Sequence, residues 1–277
     1  MVDQDRLPWY GDIWLIKTDY HGMEEWSQTF GGGNAESARY VQQTSDNGYI
    51  ITGTTSSYGS GANDIWLIKT DSDGNEEWNQ TFGGNNSDEG YAVKEIADGR
   101  YVILGGTESY GNGSMDAWLL HYNTNGTGFW SQTYGGTQWD AGWSLDLTED
   151  NGYIISGWTD TSGQSDGWLI KTDSIGNVQW DMSIDGDILL NEVNVDAYLY
   201  SVTETFDNGY IVTGKVGNYY IGTKLLMIRL EGSGDIEAPT ISISAISDNI
   251  GTNDDLVITW SLNDNFDLGS AMIYYSP

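Results

Sequence analysis

The chain has 277 residues, with 41 acidic and 10 basic side chains, a formal charge of −31 and no cysteine. That charge repels nucleic acid and anionic membranes, whose binding rests on Lys and Arg. The missing thiols exclude disulfides, thiolate catalysis and Cys-ligated metal, and the 13% aromatic content is enough to help build a core. A self-repelling soluble surface explains the acidity; a divalent-cation sink or a high-salt habitat stays open beside it. No apolar run approaches the ~18 residues of a membrane helix. Met1-Val2-Asp3-Gln4-Asp5 does not read as a signal peptide, so the expectation is a cytoplasmic chain or a piece of a longer one.

Residues 1–11 carry no repeat signal. From Asp12 the chain repeats. Asp12-Ile-Trp-Leu-Ile-Lys-Thr-Asp19 returns from Asp64, in altered form from Asp116 and Asp166, and in decayed form from Lys224, with steps of 52, 52, 50 and 58. Trp26, Trp78, Trp130 and Trp180 keep the same beat. Such a period marks a solenoid, propeller or array. One full repeat reads as four strands. Strand A is Ala35 to Thr44 and strand B Tyr49 to Thr55, joined by Ser45-Asp46-Asn47-Gly48, an expected type I′ hairpin turn. Strand C is Ile65 to Thr70 and strand D Glu76 to Phe82, joined by Asp71-Ser72-Asp73-Gly74-Asn75. The pattern returns over Asp88–Tyr134 and Asp140–Ile184; residues 12–30 supply C and D only, and 196–231 supply A, B and C. No segment keeps a 3.6-residue period, which rejects an α-solenoid.

The expected fold is all-β: a β-propeller of about five four-stranded blades over residues 12–231, with incomplete end blades, or an arc of a larger ring. Residues 232–239 read as a linker. Residues 240–277 read as half an immunoglobulin-like sandwich, since a full one needs ~100 residues. Its strands, and the unpaired end strands, could join neighbouring molecules by strand addition.

The Asp-x-Trp-Leu-Ile-Lys-Thr-Asp…Gly-Asn…Trp…Thr-Phe-Gly-Gly cycle resembles the propeller repeats of uncharacterised archaeal and bacterial secreted or surface proteins, and more distantly the quinoprotein-like blade. The resemblance implies an extracellular module whose partners are surface proteins or glycans. It brings no catalytic residue, because the vicinal cysteines often found beside a quinone cofactor have no counterpart here.

Candidate chemistry is sparse. The two Trp series are expected to pack between neighbouring blades. Strand order puts the D–A and B–C loops on one face, with Tyr58, Tyr110 and Trp139 as stacking rings and Asp88 and Asp140 as acceptors for a carbohydrate. Asp64, Asp116 and Asp166 recur there and are expected to bond backbone donors. Asp71, Asp73 and Asn75 open like a Ca²⁺ loop, though the 12-residue loop with its terminal Glu is absent; a plain Asx turn is the alternative. His21 and His121 are read as solvated residues. Asn79, Asn85, Asn112 and Asn125 head N-glycosylation sequons, which matter only in a secreted chain. With no unique acid, base or nucleophile constellation, the expected function is a non-enzymatic binding or structural module, with a carbohydrate-binding or carbohydrate-active propeller and a subunit of a surface assembly or filament as alternatives.

Overall fold

The computed structural model describes residues 11–96, 100–123, 128–160, 163–220 and 222–230. The expectations for residues 1–10, the linker at 232–239 and the half-sandwich at 240–277 lie outside the described residues. The chain is all-β and divides into two compact units, Met1–Tyr134 and Gly135–Pro277.

The first unit holds three antiparallel sheets. β1 (Ile13–Thr18) pairs with β2 (Glu24–Phe30). β3 (Glu36–Gln43), β4 (Tyr49–Thr55), β5 (Asp64–Thr70) and β6 (Glu76–Phe82) form a meander. So do β7 (Asp88–Ile96), β8 (Arg100–Thr107), β9 (Asp116–Tyr122) and β10 (Gly128–Tyr134). The second unit has a four-stranded sheet of β11 (Asp140–Leu147), β12 (Tyr153–Asp160), β13 (Ser165–Thr172) and β14 (Val178–Ile184). A short helix α1 (Gly186–Leu190) follows, then a three-stranded sheet of β15 (Asp196–Glu204), β16 (Tyr210–Asn218) and β17 (Gly222–Leu230). The expected strands are present to within a residue or two. The helix was not foreseen. It is a single turn, capped where the Asp185 carboxylate accepts the N–H groups of Asp187 and Ile188.

Within each unit consecutive sheets stack face to face, because their middle strands are apolar on both faces. Every residue of β5 is buried. Trp66 and Ile68 pack towards β1 and β2 with Ile13, Phe30 and Ile51. Ile65 and Leu67, on the opposite face, pack with Val93, Ile103, Trp118 and Leu120 of the next sheet. Ile154 and Leu169 meet Leu199, Val212, Leu226 and Ile228 in the same way in the second unit. The strand-D indoles also reach forward: Trp26 lies 5.6 Å from Tyr49, Trp78 5.8 Å from Tyr101, and Trp180 5.8 Å from Tyr210, ring centroid to centroid. These pairs place the expected indole packing between sheets. Trp14 departs from it. Trp66 and Trp118 are 2% and 7% exposed, but Trp14, at the same register, is 64% exposed.

The A–B turns differ from the expected type I′ geometry. Asn47 N–H donates to Thr44 C=O, and Thr44 N–H to Gly48 C=O. Asn47 alone takes the left-handed conformation, at φ 70°. This is a three-residue hairpin loop whose last residue is αL, a role Asn tolerates. Gly48 is needed for space, since a Cβ there would lie 2.1 Å from the Thr70 carbonyl oxygen.

Each strand A carries a β-bulge. The extra residues are Arg39, Tyr91, Trp143 and Tyr200. Opposite each bulge, strand B holds a glycine: Gly53, Gly105, Gly157 or Gly214. The bulged backbone closes over it, so a Cβ at Gly157 would sit 1.8 Å from the Ala141 carbonyl oxygen, and one at Gly214 2.0 Å from that of Tyr198. Gly157→Ala is therefore expected to destabilise the protein by about 2–3 kcal/mol through forced backbone displacement, read as a lower urea midpoint. An alanine at exposed Gly163, where no neighbour lies within 4 Å, should cost less, leaving only the αL penalty.

Candidate functional site

The loop-face acids begin strand A and latch the sheet's end. Asp88 is fully buried. One carboxylate oxygen accepts the Thr107 hydroxyl; the other accepts the Ser109 hydroxyl at 2.6 Å and the Gly84 N–H at 2.8 Å. Glu36 repeats the arrangement with Thr55 and Gly32, and Asp140 with Thr159 and Gly136. The threonine oxygen in turn accepts N–H groups of the B–C loop, from Ser57 and Tyr58 or from Ser109 and Tyr110. Neither Asp88 nor Asp140 offers an open acceptor to a ligand. Their oxygens hold the Gly-Gly turn and the loop together.

The second series of acids lies under the same turns. The Asp116 carboxylate accepts Asn112 N–H at 2.8 Å, and Asp64 accepts the Ser60 backbone, as expected of turn acids. Burial, with a contribution from the neighbouring Asp88 charge, raises the Asp64 pKa.

Tyr58 and Tyr110 hold equivalent positions. Each hydroxyl donates to a glycine carbonyl at 3.0 Å, Gly31 and Gly83 respectively, and each ring rests against a strand-C indole, Trp66 or Trp118. Each is partly exposed, Tyr110 to 48%. Tyr110 also borders a cleft of about 500 Å³ whose walls include Phe82, Trp118, Tyr122, Ser131 and Gln132. Tyr58 lies outside that cleft. Trp139 is exposed in the second unit, where its carbonyl accepts Asp160 N–H.

The Asp71 loop is an Asx turn. Asp71 Oδ1 accepts the Asp73 and Asn75 N–H groups at 2.9 and 2.8 Å, and Oδ2 accepts Asn75 Nδ2 at 2.9 Å. Asp173 makes the same three bonds with Ile175 standing where Asp73 stands. The turn thus closes without a second carboxylate, and among the described residues no group of three or more His, Asp or Glu converges. Hydrogen bonding from Asn75 lowers the Asp71 pKa. Of the sequon asparagines, Asn79, Asn85 and Asn112 are exposed. The Asn79 amide donates to Glu76 at 2.6 Å and its oxygen accepts the Trp66 indole N–H. Asn125 lies outside the described residues.

A buried cation on strand C forms a second recurring device. Lys69 is 3% exposed, and its ammonium donates to the Thr70 carbonyl, Glu77 and Asp46 at 2.8–2.9 Å. Lys171 does the same with the Thr172 carbonyl, Asp150 and Gln179. His121 occupies this register and is buried, against the expectation of a solvated residue; its ring stacks on Trp130 at 5.1 Å. Burial pulls the Lys69 pKa down, but Asp46 and Glu77 outweigh it and the pKa is raised. Lys69 and Thr44 hold Asp46 at about 2. Burial opposes the same shift in Asp150, and Lys171 and Thr148 still bring it to about 2.

The position that strand patterning alone left unremarked is the bulge. A glycine recurring inside strand B was its sequence signal.

No protein-family model matches the chain, and the search of curated proteins finds no match. No helix among the described residues is long and apolar enough to cross a membrane.

A depressed carboxylate pKa stabilises the fold above the group's ordinary value, and that contribution is lost as pH falls through the folded value. Asp46 and Asp150 move from 3.8 to about 2. Stability should therefore fall between about pH 4 and about pH 2, and the Asp46→Asn, Asp150→Asn double variant should show a shallower fall in urea unfolding. Asp88→Ala should cost about 2–3 kcal/mol, because it takes the acceptor from the buried Thr107 hydroxyl and from the half-buried Ser109 hydroxyl and Gly84 N–H.

Proposed function

We propose that this chain is a non-enzymatic β-propeller module of an extracellular or cell-surface protein, with residues 12–231 forming about five blades. It acts by binding and holding surface proteins or glycans. The observation that carries the reading is the fate of the loop-face carboxylates. Catalysis by paired acids needs carboxylates facing a substrate at a set separation, and here Asp88 and Asp140 are bound to hydroxyl and N–H groups of their own sheets. Face-to-face stacking of repeated meanders, with strand-D indoles reaching the next sheet, supports the propeller arrangement. The resemblance of the repeat to surface-protein propellers supports the compartment, and the exposed sequons Asn79, Asn85 and Asn112 suit it. A bound Ca²⁺ is not part of this reading, because the Asp71 loop is closed by its own hydrogen bonds.

The carbohydrate reading has its own support in the cleft beside Tyr110, where aromatic walls meet Ser131 and Gln132. An assembly subunit is supported by Trp14 and Ile16, which leave one face of the β1–β2 sheet exposed.

The reading is tested by incubating the purified chain with chromogenic glycosides, esters and phosphates and with an alcohol–dye quinoprotein assay. No turnover is expected. Turnover that follows the purified chain through successive columns and disappears in a point variant would overturn it.

A further inference from the structure

The strand-A bulges separate scaffold from display. The facing glycine and the register recur in all four bulged sheets and the latch carboxylate is seen in three, but the bulged residue itself changes: Arg39, Tyr91, Trp143, Tyr200. Bulges are used to re-aim a side chain, often beside a functional site. In the first unit Tyr91 is turned inward and donates to Glu89 at 3.1 Å. In the second unit the bulged residues come together. Trp143 and Tyr200 lie nearly parallel, 5.0 Å between centroids and 10° between planes. Tyr198 continues the stack 6.0 Å from Trp143 at 17°, with Trp158 edge-on to it at 5.7 Å. The Lys215 ammonium stands 4.5 Å from the Tyr198 centroid and 5.7 Å from that of Tyr200, and it hydrogen-bonds Tyr200. Tyr200 is 44% exposed, and Trp143 is half-buried. Lys215 makes no ion pair among the described residues, in a chain of charge −31.

We propose that Trp143, Tyr198 and Tyr200, with Lys215 beside them, form a stacking platform for a neutral glycan. The C–H face of a pyranose packs against the exposed Tyr200 phenol, at the end of the stack that Trp143 and Tyr198 hold behind it, where aromatic contact adds to plain area burial. The Tyr200 hydroxyl and the Lys215 ammonium donate to sugar hydroxyls. The charge balance selects a neutral chain over a polyanion, which a surface of −31 repels. The openness of the platform selects a hydrated polymer over a small apolar ligand, which requires an enclosing cavity. This inference rests on the binding-module reading and names a ligand class for a surface distinct from the Tyr110 cleft.

The test titrates the full chain with cellohexaose, laminarihexaose, mannohexaose and chitohexaose, and with heparin and polygalacturonate as acidic controls, by calorimetry and tryptophan fluorescence. At least one neutral oligosaccharide is expected to bind. Trp143→Ala and Tyr200→Ala should each weaken it about tenfold or more, a difference of roughly 1.4 kcal/mol. Tyr200→Phe should weaken it only a few-fold, and Tyr20→Ala, at an exposed ring of the first unit, should leave it unchanged. Tyr200 is exposed, so its variants keep the comparison valid if Trp143→Ala fails to fold, with circular dichroism as the check. Binding only to the acidic controls, or to none of the probes at millimolar concentration, overturns the proposal. Binding that survives Trp143→Ala and Tyr200→Ala but is lost in Tyr110→Ala overturns the platform and leaves the binding module standing. Hydrolysis of a bound probe would instead sink the non-enzymatic reading and leave the platform intact.

Discussion

A sheet with two apolar faces needs a neighbour on each side, and that constraint governs this chain. In β5 no residue is left to solvent. Trp66 and Ile68 need cover on one side, Ile65 and Leu67 on the other. Short hairpins are marginal alone in water, so each meander gains its order from the sheets stacked against it within its unit. Stability then accrues from nearest-neighbour interfaces, as in other repeat architectures. The half-exposed edge of this logic is visible at β1, where no sheet among the described residues covers the indole of Trp14.

Polar groups follow the same economy of repetition. At one end of the sheet the carboxylates of Glu36, Asp88 and Asp140 tie a Gly-Gly turn to a threonine nineteen residues on. At the other end Lys69 and Lys171 tie the A–B turn to strand C. The cations are buried, but their acidic partners remain partly exposed, so the desolvation penalty of a fully buried pair is avoided. Both devices use side chains that, seen alone, resemble a binding site. Their recurrence in sheet after sheet identifies them as framework.

Sequence patterning was a good guide wherever one force dominated. Alternation and turn residues placed Tyr49–Thr55, Glu76–Phe82 and their copies, because burial of one set of side chains fixes register. The series of indoles led correctly to packing between sheets at Trp66 and Trp118. It misjudged Trp14, since exposure depends on what covers a face and not on the residue itself. The acids Asp88 and Asp140 begin strand A, but besides a glycine four residues back they bond a threonine nineteen residues on, which no local pattern encodes. His121 shares no repeat position with His21, and that comparison hides its true register: on strand C it stands in the buried lysine position. The bulges were hidden for a different reason. An inserted residue shifts alternation by one, and only the facing glycines Gly53, Gly105, Gly157 and Gly214 betray it.

The A–B turns carry a consequence for the ageing of the protein. Asn-Gly pairs are the usual sites of spontaneous deamidation, which begins when the glycine amide nitrogen attacks the asparagine carboxamide. At Asn47-Gly48 and Asn151-Gly152 that nitrogen is held by a hydrogen bond to Asp46 and Asp150, at 2.9 and 3.0 Å. The aspartates that pair with buried lysine thus also restrain the nucleophile, and a turn chosen for its shape is chemically durable as well.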